Sequence, residues 1–300
     1  VTSLLHRVKS NLAIFAHRKA RGALDGEYGS VFRGRSLDFD DLRAYVPGDE
    51  VRDIDWKATA RHGSPLIRRY VAVRRQTLVL VTDTGRNMAA AARSGETKKD
   101  IAVMALGVMG YLAHRHGDVV GLVSGDAEGS TALPAKGGEA HLERLLRQVD
   151  SAATLDAAPS RIEDQLEHVA RTVKGRNLLF VVADEVPAGP ATSELLRRLR
   201  AQHEVLWLTV RDADLAPADP SLQPDRTAGD SYSVSGGYPL VAHLARDPAV
   251  AAAYASAVAE RDTGRTTMLR KAGITEGEVA ASQGVINALF ALLERHRRAG

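Results

Sequence analysis

The chain contains no cysteine. That absence excludes disulfides, thiolate catalysis and cysteine-ligated zinc, and it suits a cytoplasmic protein. No apolar run reaches about 18 residues, so no membrane-spanning helix is expected. The first residues lack the apolar core of a signal peptide. No G-x-x-x-x-G-K-[ST] phosphate loop occurs. Gly26 and Gly29 superficially suggest a kinase glycine loop, but the full three-glycine pattern is missing. No V-A-I-K strand, H-R-D loop or D-F-G follows, so a protein kinase is excluded. His114 and His116, two apart on a helix, face different directions and make a poor zinc pair.

What is present is ordinary for a globular protein. Of 300 residues, 44% are apolar and 26% charged, enough to build a sizeable core. The net charge of +3 is unevenly spread. Residues 1–76 carry 15 Lys and Arg against 9 Asp and Glu, and the rest 25 against 28. A basic front half could meet an acidic partner, a membrane or nucleic acid. Acids interleave with the bases over 38–55, however, which favours an ordinary charged surface with internal ion pairs.

Three regions follow from the patterning. Residues 1–24 carry a basic amphipathic helix, with Leu4, Val8, Leu12 and Phe15 at helical spacing. Residues 25–76 form a loop-rich element expected to be β-rich. Residues 77–300 read as one α/β domain. Leu78 to Val81 is a continuous apolar run, the mark of a strand buried on both faces. Further strands are expected over 119–125, 177–183 and 205–210, separated by helices over 98–116, 141–149, 160–174 and 193–202. That alternation predicts a mostly parallel sheet with right-handed crossovers. Asp247 and Pro248 should open another helix. Ser160 with Glu163, and Thr275 with Glu278, are spaced as capping boxes, the second opening a last helix over 276–297. A hairpin is expected near Tyr232. The basic tail around His296 is assigned no role.

The most distinctive stretch lies between Gly34 and Arg61. It runs through Gly34, Ser36, Asp38, Phe39, Leu42, Arg43, Tyr45, Pro47, Gly48 and Asp49. It continues through Val51, Arg52, Ile54, Asp55, Trp56, Lys57, Ala60 and Arg61. This ordered series resembles the family called domain of unknown function 58, over roughly residues 20–295. The resemblance implies a von Willebrand factor A-like (Rossmann-like) α/β sheet flanked by helices, with an N-terminal β-rich element. It also implies a partner, a MoxR-type AAA+ ATPase, and brings no established chemistry. Arg43, Pro47, Gly48, Asp49, Arg52, Asp55, Trp56, Lys57 and Arg61 are therefore candidate interaction residues.

Von Willebrand A-like domains often hold Mg²⁺ through D-x-S-x-S after the first strand, with a threonine and an aspartate from later loops. Here Asp83 matches, Gly85 stands where a serine is expected, and Asn87 replaces the second serine. The threonine loop aligns best with Gly137, Gly138 and Glu139, which supply no threonine. Asp184 is the remaining acid. The set Asp83, Asn87 and Asp184 is thus a degenerate metal site; no resident cofactor is expected, Mg²⁺ being the alternative.

Three functions compete. The first is a non-enzymatic adaptor working with the ATPase and without nucleic acid. The second is an enzyme centred on Asp53, Asp55 and Arg61, with His62. The third is a peripheral membrane adaptor using the basic N-terminal helix.

Overall fold

A computed structural model describes residues 3–16, 24, 26–29, 41–46, 54–69, 76–184, 186–213, 231–240 and 247–299. The centre is a six-stranded sheet. Its strands are β3 (Thr77–Asp83), β4 (Val119–Asp126), β5 (Gly129–Lys136), β6 (Leu178–Ala183), β7 (Glu204–Val210) and β10 (Thr275–Val279). Their order is β10-β7-β6-β3-β4-β5. All neighbours run parallel except β5, which pairs antiparallel with β4 at one edge. The order reverses at β3, as in a doubly wound sheet, so the expected α/β class holds.

Alternation along the strands splits the core into two layers. Leu78 and Leu80 face one side, and Val79 and Val81 the other. The first layer is covered by α1 (Leu4–Ala16), α3 (Lys98–Arg115), α4 (Glu139–Ala152) and α8 (Val285–Ala299). The second is covered by α5 (Ile162–Thr172), α6 (Pro190–Gln202) and α7 (Pro248–Lys271). Each fully buried Leu or Val here contributes about 1.5–3 kcal/mol, which makes these layers the main source of stability.

α1 belongs to the first layer. Val8 and Leu12 are buried, and a Cβ on Gly107 of α3 would lie 2.5 Å from Val8 Cγ2. Glu143 of α4 caps α1 from outside, accepting from Leu4 N at 3.2 Å, Leu5 N at 2.8 Å and Ser3 Oγ at 2.9 Å. Burial alone would raise this carboxyl, but those donors hold it below its ordinary value. The basic residues of the helix are also engaged, Arg7 with Asp100 and Lys9 with Glu139.

Ahead of the sheet lies a smaller unit. It comprises β1 (Asp41–Ala44), α2 (Trp56–His62) and β2 (Leu66–Arg69), with β1 and β2 antiparallel in their own two-stranded sheet. The expected hairpin near Tyr232 is present as β8 (Ser231–Ser233) and β9 (Tyr238–Leu240).

One strand was unforeseen and two expectations are corrected. β5 has no apolar signature; it is an exposed edge strand carrying Pro134, which an edge tolerates. Thr275 to Glu278 is not a capping box but strand β10. Gly277 packs against Leu292 while Glu276 and Glu278 point to the opposite face, so strand alternation prevails over local capping. Ser160 does not cap α5, which begins at Ile162 after Arg161 with no side-chain cap bond. Ser160 is turned toward the end of β3 instead.

Candidate functional site

The end of β3 delivers Asp83 to the carboxyl edge of the sheet, at the strand where the order reverses. Asp83 is 1% exposed. Its Oδ1 accepts from Gly85 N at 2.6 Å, a loop amide. Ser160 Oγ and the Arg161 amide face the carboxylate without closing a well-formed hydrogen bond on Oδ2. Burial drives the pKa up to about 7; Ser160 and the Gly85 and Arg161 amides pull it down, while the neighbouring Asp184 charge pushes it up.

The loop facing Asp83 across the edge is therefore 153–161, between α4 and α5. The Gly137–Gly138–Glu139 turn, expected to approach this site, instead opens α4, with no side-chain cap at Gly138. Loop 153–161 lies tight on the Asp83 loop. Arg86 N donates to Ala158 O at 3.0 Å, and a Cβ on Gly85 would sit 2.6 Å from Ser160 Cα and N. The missing serine at 85 is thus a packing requirement. No side chain fits there without moving the backbone opposite.

Asp184, at the end of β6, is not a free ligand. The ammonium of Lys98, itself 1% exposed, lies 2.8 Å from Asp184 Oδ2 and 2.6 Å from Asp212 Oδ1. Burial opposes the Lys98 charge, but the two carboxylates outweigh it and hold its pKa above the ordinary lysine value. Lys98 is the first residue of α3, followed by Lys99, against the preference of a helix N-terminus for acids. That local mismatch is a sequence signal of a tertiary role.

The fit of a divalent ion can be judged directly. Asp83 Oδ2, Asn87 Oδ1 and Ser160 Oγ are buried without a hydrogen-bond partner, which favours a cation. Against it, Gly85 has no ligand atom, Asp184 is neutralised by Lys98, and the two loops close on each other. Among the described residues, no three His, Asp or Glu side chains are grouped to hold a metal. The residues present do not fit the alternative, a bound Mg²⁺.

Beyond these loops a cleft of about 920 Å³ opens between the strand ends and α7. Asn87, Ser160, Arg161, Asp184, Arg211 and Tyr254 line it. Its floor is an ion-pair cluster that the sequence reading missed. Arg265, 5% exposed, contacts Asp262, Glu276 and Glu278 at 2.6, 2.6 and 2.8 Å. Arg211 joins Asp262 at 2.6 Å. The two glutamates come from β10, so this cluster is invisible while β10 is read as helix. His296, assigned no role from sequence, is buried and pairs with Glu204 at 3.0 Å. That bond, with Arg200 and Arg176 nearby, holds Glu204 down to about 2 in spite of its partial burial.

The family-motif residues lie apart from this edge. Asp55 is the N-cap of α2, its Oδ1 accepting from Lys57 N and Ala58 N at 3.0 Å each. Arg61 and His62 are exposed, and His62 Nδ1 lies 3.1 Å from Ser64 Oγ. Arg43 reaches the Ala44 carbonyl at 3.3 Å. Lys57 is exposed, and Trp56 is 65% exposed. Pro47, Gly48, Asp49, Arg52 and Asp53 lie outside the described residues. Asp55, proposed as half of a carboxylate pair, spends its side chain on the helix start.

The sequence model of one family, "Protein of unknown function DUF58", matches residues 41–223. Uncharacterised proteins of Mycobacterium tuberculosis and Mycobacterium bovis are each 29% identical over 262 residues, spanning 85% of this chain and 78% of theirs. Among solved structures, an aerotolerance-related membrane protein from Bacteroides fragilis aligns with TM-score 0.43 at 14% identity. It covers 73% of this chain and 99% of its own. A von Willebrand factor type A protein from Catenulispora acidiphila aligns with TM-score 0.40 at 10% identity, over 77% of this chain and 44% of its own. Alignments at that level add nothing to the topology described above. The family match covers more than half of the sequence, including the stretch from Leu42 to Arg61: the chain belongs to the DUF58 family of proteins of unknown function.

Proposed function

We propose that this chain is a non-enzymatic interaction protein. Its von Willebrand A-like sheet would work with a MoxR-type AAA+ ATPase in a chaperone-like or complex-assembly role. The observation that carries this reading is the carboxyl edge of the sheet. It opens a wide cleft, yet Asp184, Asp212, Asp262 and Glu276 are committed to structural ion pairs there, and Asp83 is buried against the Gly85 amide. A hydrolytic or acid–base enzyme needs a carboxylate or histidine poised beside a reacting group. The competing catalytic centre is weakened by Asp55, whose oxygen is used as a helix cap. The membrane reading is weakened by α1, whose Arg7 and Lys9 pair with acids of α3 and α4.

The exposed Trp56 suits partner contact, because aromatic residues are enriched at interface centres. The reading carries a cytoplasmic location with it, in keeping with a chain free of cysteine. Among the described residues no helix is long and apolar enough to cross a membrane.

The test is co-purification with a MoxR-type AAA+ ATPase from the same source, followed by ATP turnover with and without this chain. Co-elution, with weakened binding for Trp56→Ala and unchanged folding, is the expected result. Absence of co-elution together with unaltered turnover would sink the adaptor reading.

A further inference from the structure

The carboxyl edge combines an internal ammonium, two carboxylates from different loops and a closed-up β3 loop. We propose that Lys98 is the permanent cation of this edge, tying the loop after β6 to the loop after β7, so that the edge is assembled without a divalent metal. The inference concerns the edge itself and holds whether or not an ATPase binds there.

Geometry carries it. Nζ stands 2.8 Å from Asp184 and 2.6 Å from Asp212, distances of charge-assisted hydrogen bonds. Asp184 follows β6 and Asp212 follows β7, while Lys98 opens the helix after β3. One side chain therefore links the loops after three strands that are neighbours in the sheet, β7, β6 and β3, at the place where ligands of doubly wound sheets bind. The ammonium and Asp184 are both almost fully buried, while the Asp212 side chain is half exposed and gives the trio its only wet member. The backbone supports the tie, since Ala92 and Asp212 form a β-bridge and Lys98 N donates to Ala90 O at 2.9 Å.

A metal-dependent edge changes its loops and its charge when the ion leaves. A covalently attached ammonium cannot leave, and its lysine pKa is raised, so the edge keeps one geometry at any free Mg²⁺ level. The same logic explains why Gly85 and Ser160 have closed together. With the positive charge supplied from α3, the β3 loop has no ion to accommodate.

The experiment is a titration of the full chain with Mn²⁺, read by the loss of the free-ion electron paramagnetic resonance signal. Melting with and without Mg²⁺ accompanies it. Wild type should leave Mn²⁺ free and melt at the same temperature with or without Mg²⁺. Removing the ammonium leaves Asp184 and Asp212 facing one gap, a pair of oxygen ligands of the kind hard cations take. Lys98→Ala, or Lys98→Gln if the alanine variant does not fold, should therefore gain one Mn²⁺ per chain and a metal-dependent rise in melting temperature. Adding Asp184→Asn should abolish both gains. Mn²⁺ binding by wild type that is lost in Asp83→Asn would overturn the proposal. So would a folded Lys98→Gln chain that leaves Mn²⁺ free.

Discussion

The small unit over residues 41–69 and the six-stranded sheet use their polar residues in opposite ways. In the small unit, three side-chain bonds act locally. Asp55 caps the helix that follows it, Thr59 Oγ1 accepts from Leu66 N at 2.9 Å, and His62 meets Ser64. No residue of α2 is buried, and among the described residues of the unit Ile67 is the buried apolar side chain. In the sheet, polar residues act across long stretches of chain. Lys98 meets Asp184 and Asp212, Arg265 meets Glu276 and Glu278, and Glu204 meets His296. The described part of the motif stretch thus builds little core, and the long-range ion pairs described occur where the sequence carries no motif. A motif that is exposed and locally wired is conspicuous because its residue types are set by their neighbours or by a partner. A buried ion pair is set by partners far away in sequence.

That contrast predicts a ranking of mutational costs. The largest loss should come from Lys98→Ala, about 3–5 kcal/mol, because two carboxylates lose their shared counter-charge, one of them buried. Urea unfolding measures it, and a loss no greater than that of an exposed lysine would break the contrast at its strongest point. Asp83→Asn should act in the opposite direction. The folded pKa of Asp83, about 7, lies above its ordinary value, so wild type pays nothing at low pH, loses stability progressively from about pH 4 to about pH 7, and carries the full cost above that. The asparagine chain should gain up to about 4 kcal/mol at pH 8 and nothing near pH 3.5. Equal stability of the two at pH 8 would show Asp83 ionised at no cost.

Gly107→Ala should cost about 1–3 kcal/mol, since the new methyl meets Val8 of α1. A neutral result would detach α1 from the sheet and return it to the basic N-terminal region. The smallest effect should be Asp55→Ala, about 1 kcal/mol, with Asp55→Asn nearly silent because asparagine also caps. Thermal melts read both. An activity abolished by Asp55→Asn without loss of stability would revive the catalytic reading and end the contrast between the two regions.

Much of the fold was legible from residues alone. Leu78 to Val81, Leu178 to Val182 and Val205 to Val210 are continuous apolar runs because strands at the middle of a parallel sheet are covered on both faces. Asp247 with Pro248 was legible because capping is local, and the structure shows Asp247 Oδ1 accepting from Ala249 N and Val250 N at 2.8 and 3.3 Å. Edge strands were not. β5 is wet and β10 carries alternating glutamates, so neither differs in pattern from loop or helix start. Of the candidate site, Asp83 was placed correctly at the strand end, whereas Ser160, Lys98, Asp212 and Arg265 were missed.

The sequence by itself determined the α/β class, the family, the position of Asp83 and the lack of thiol chemistry, since each depends on residues close together in the chain or on composition. Tertiary structure alone decided that loop 153–161 closes over Gly85 and that Lys98 neutralises Asp184. Those facts depend on which loops a doubly wound sheet brings side by side. Asp184 lies 86 positions from Lys98 and Asp212 lies 114, and no local pattern encodes which lysine will find which acid.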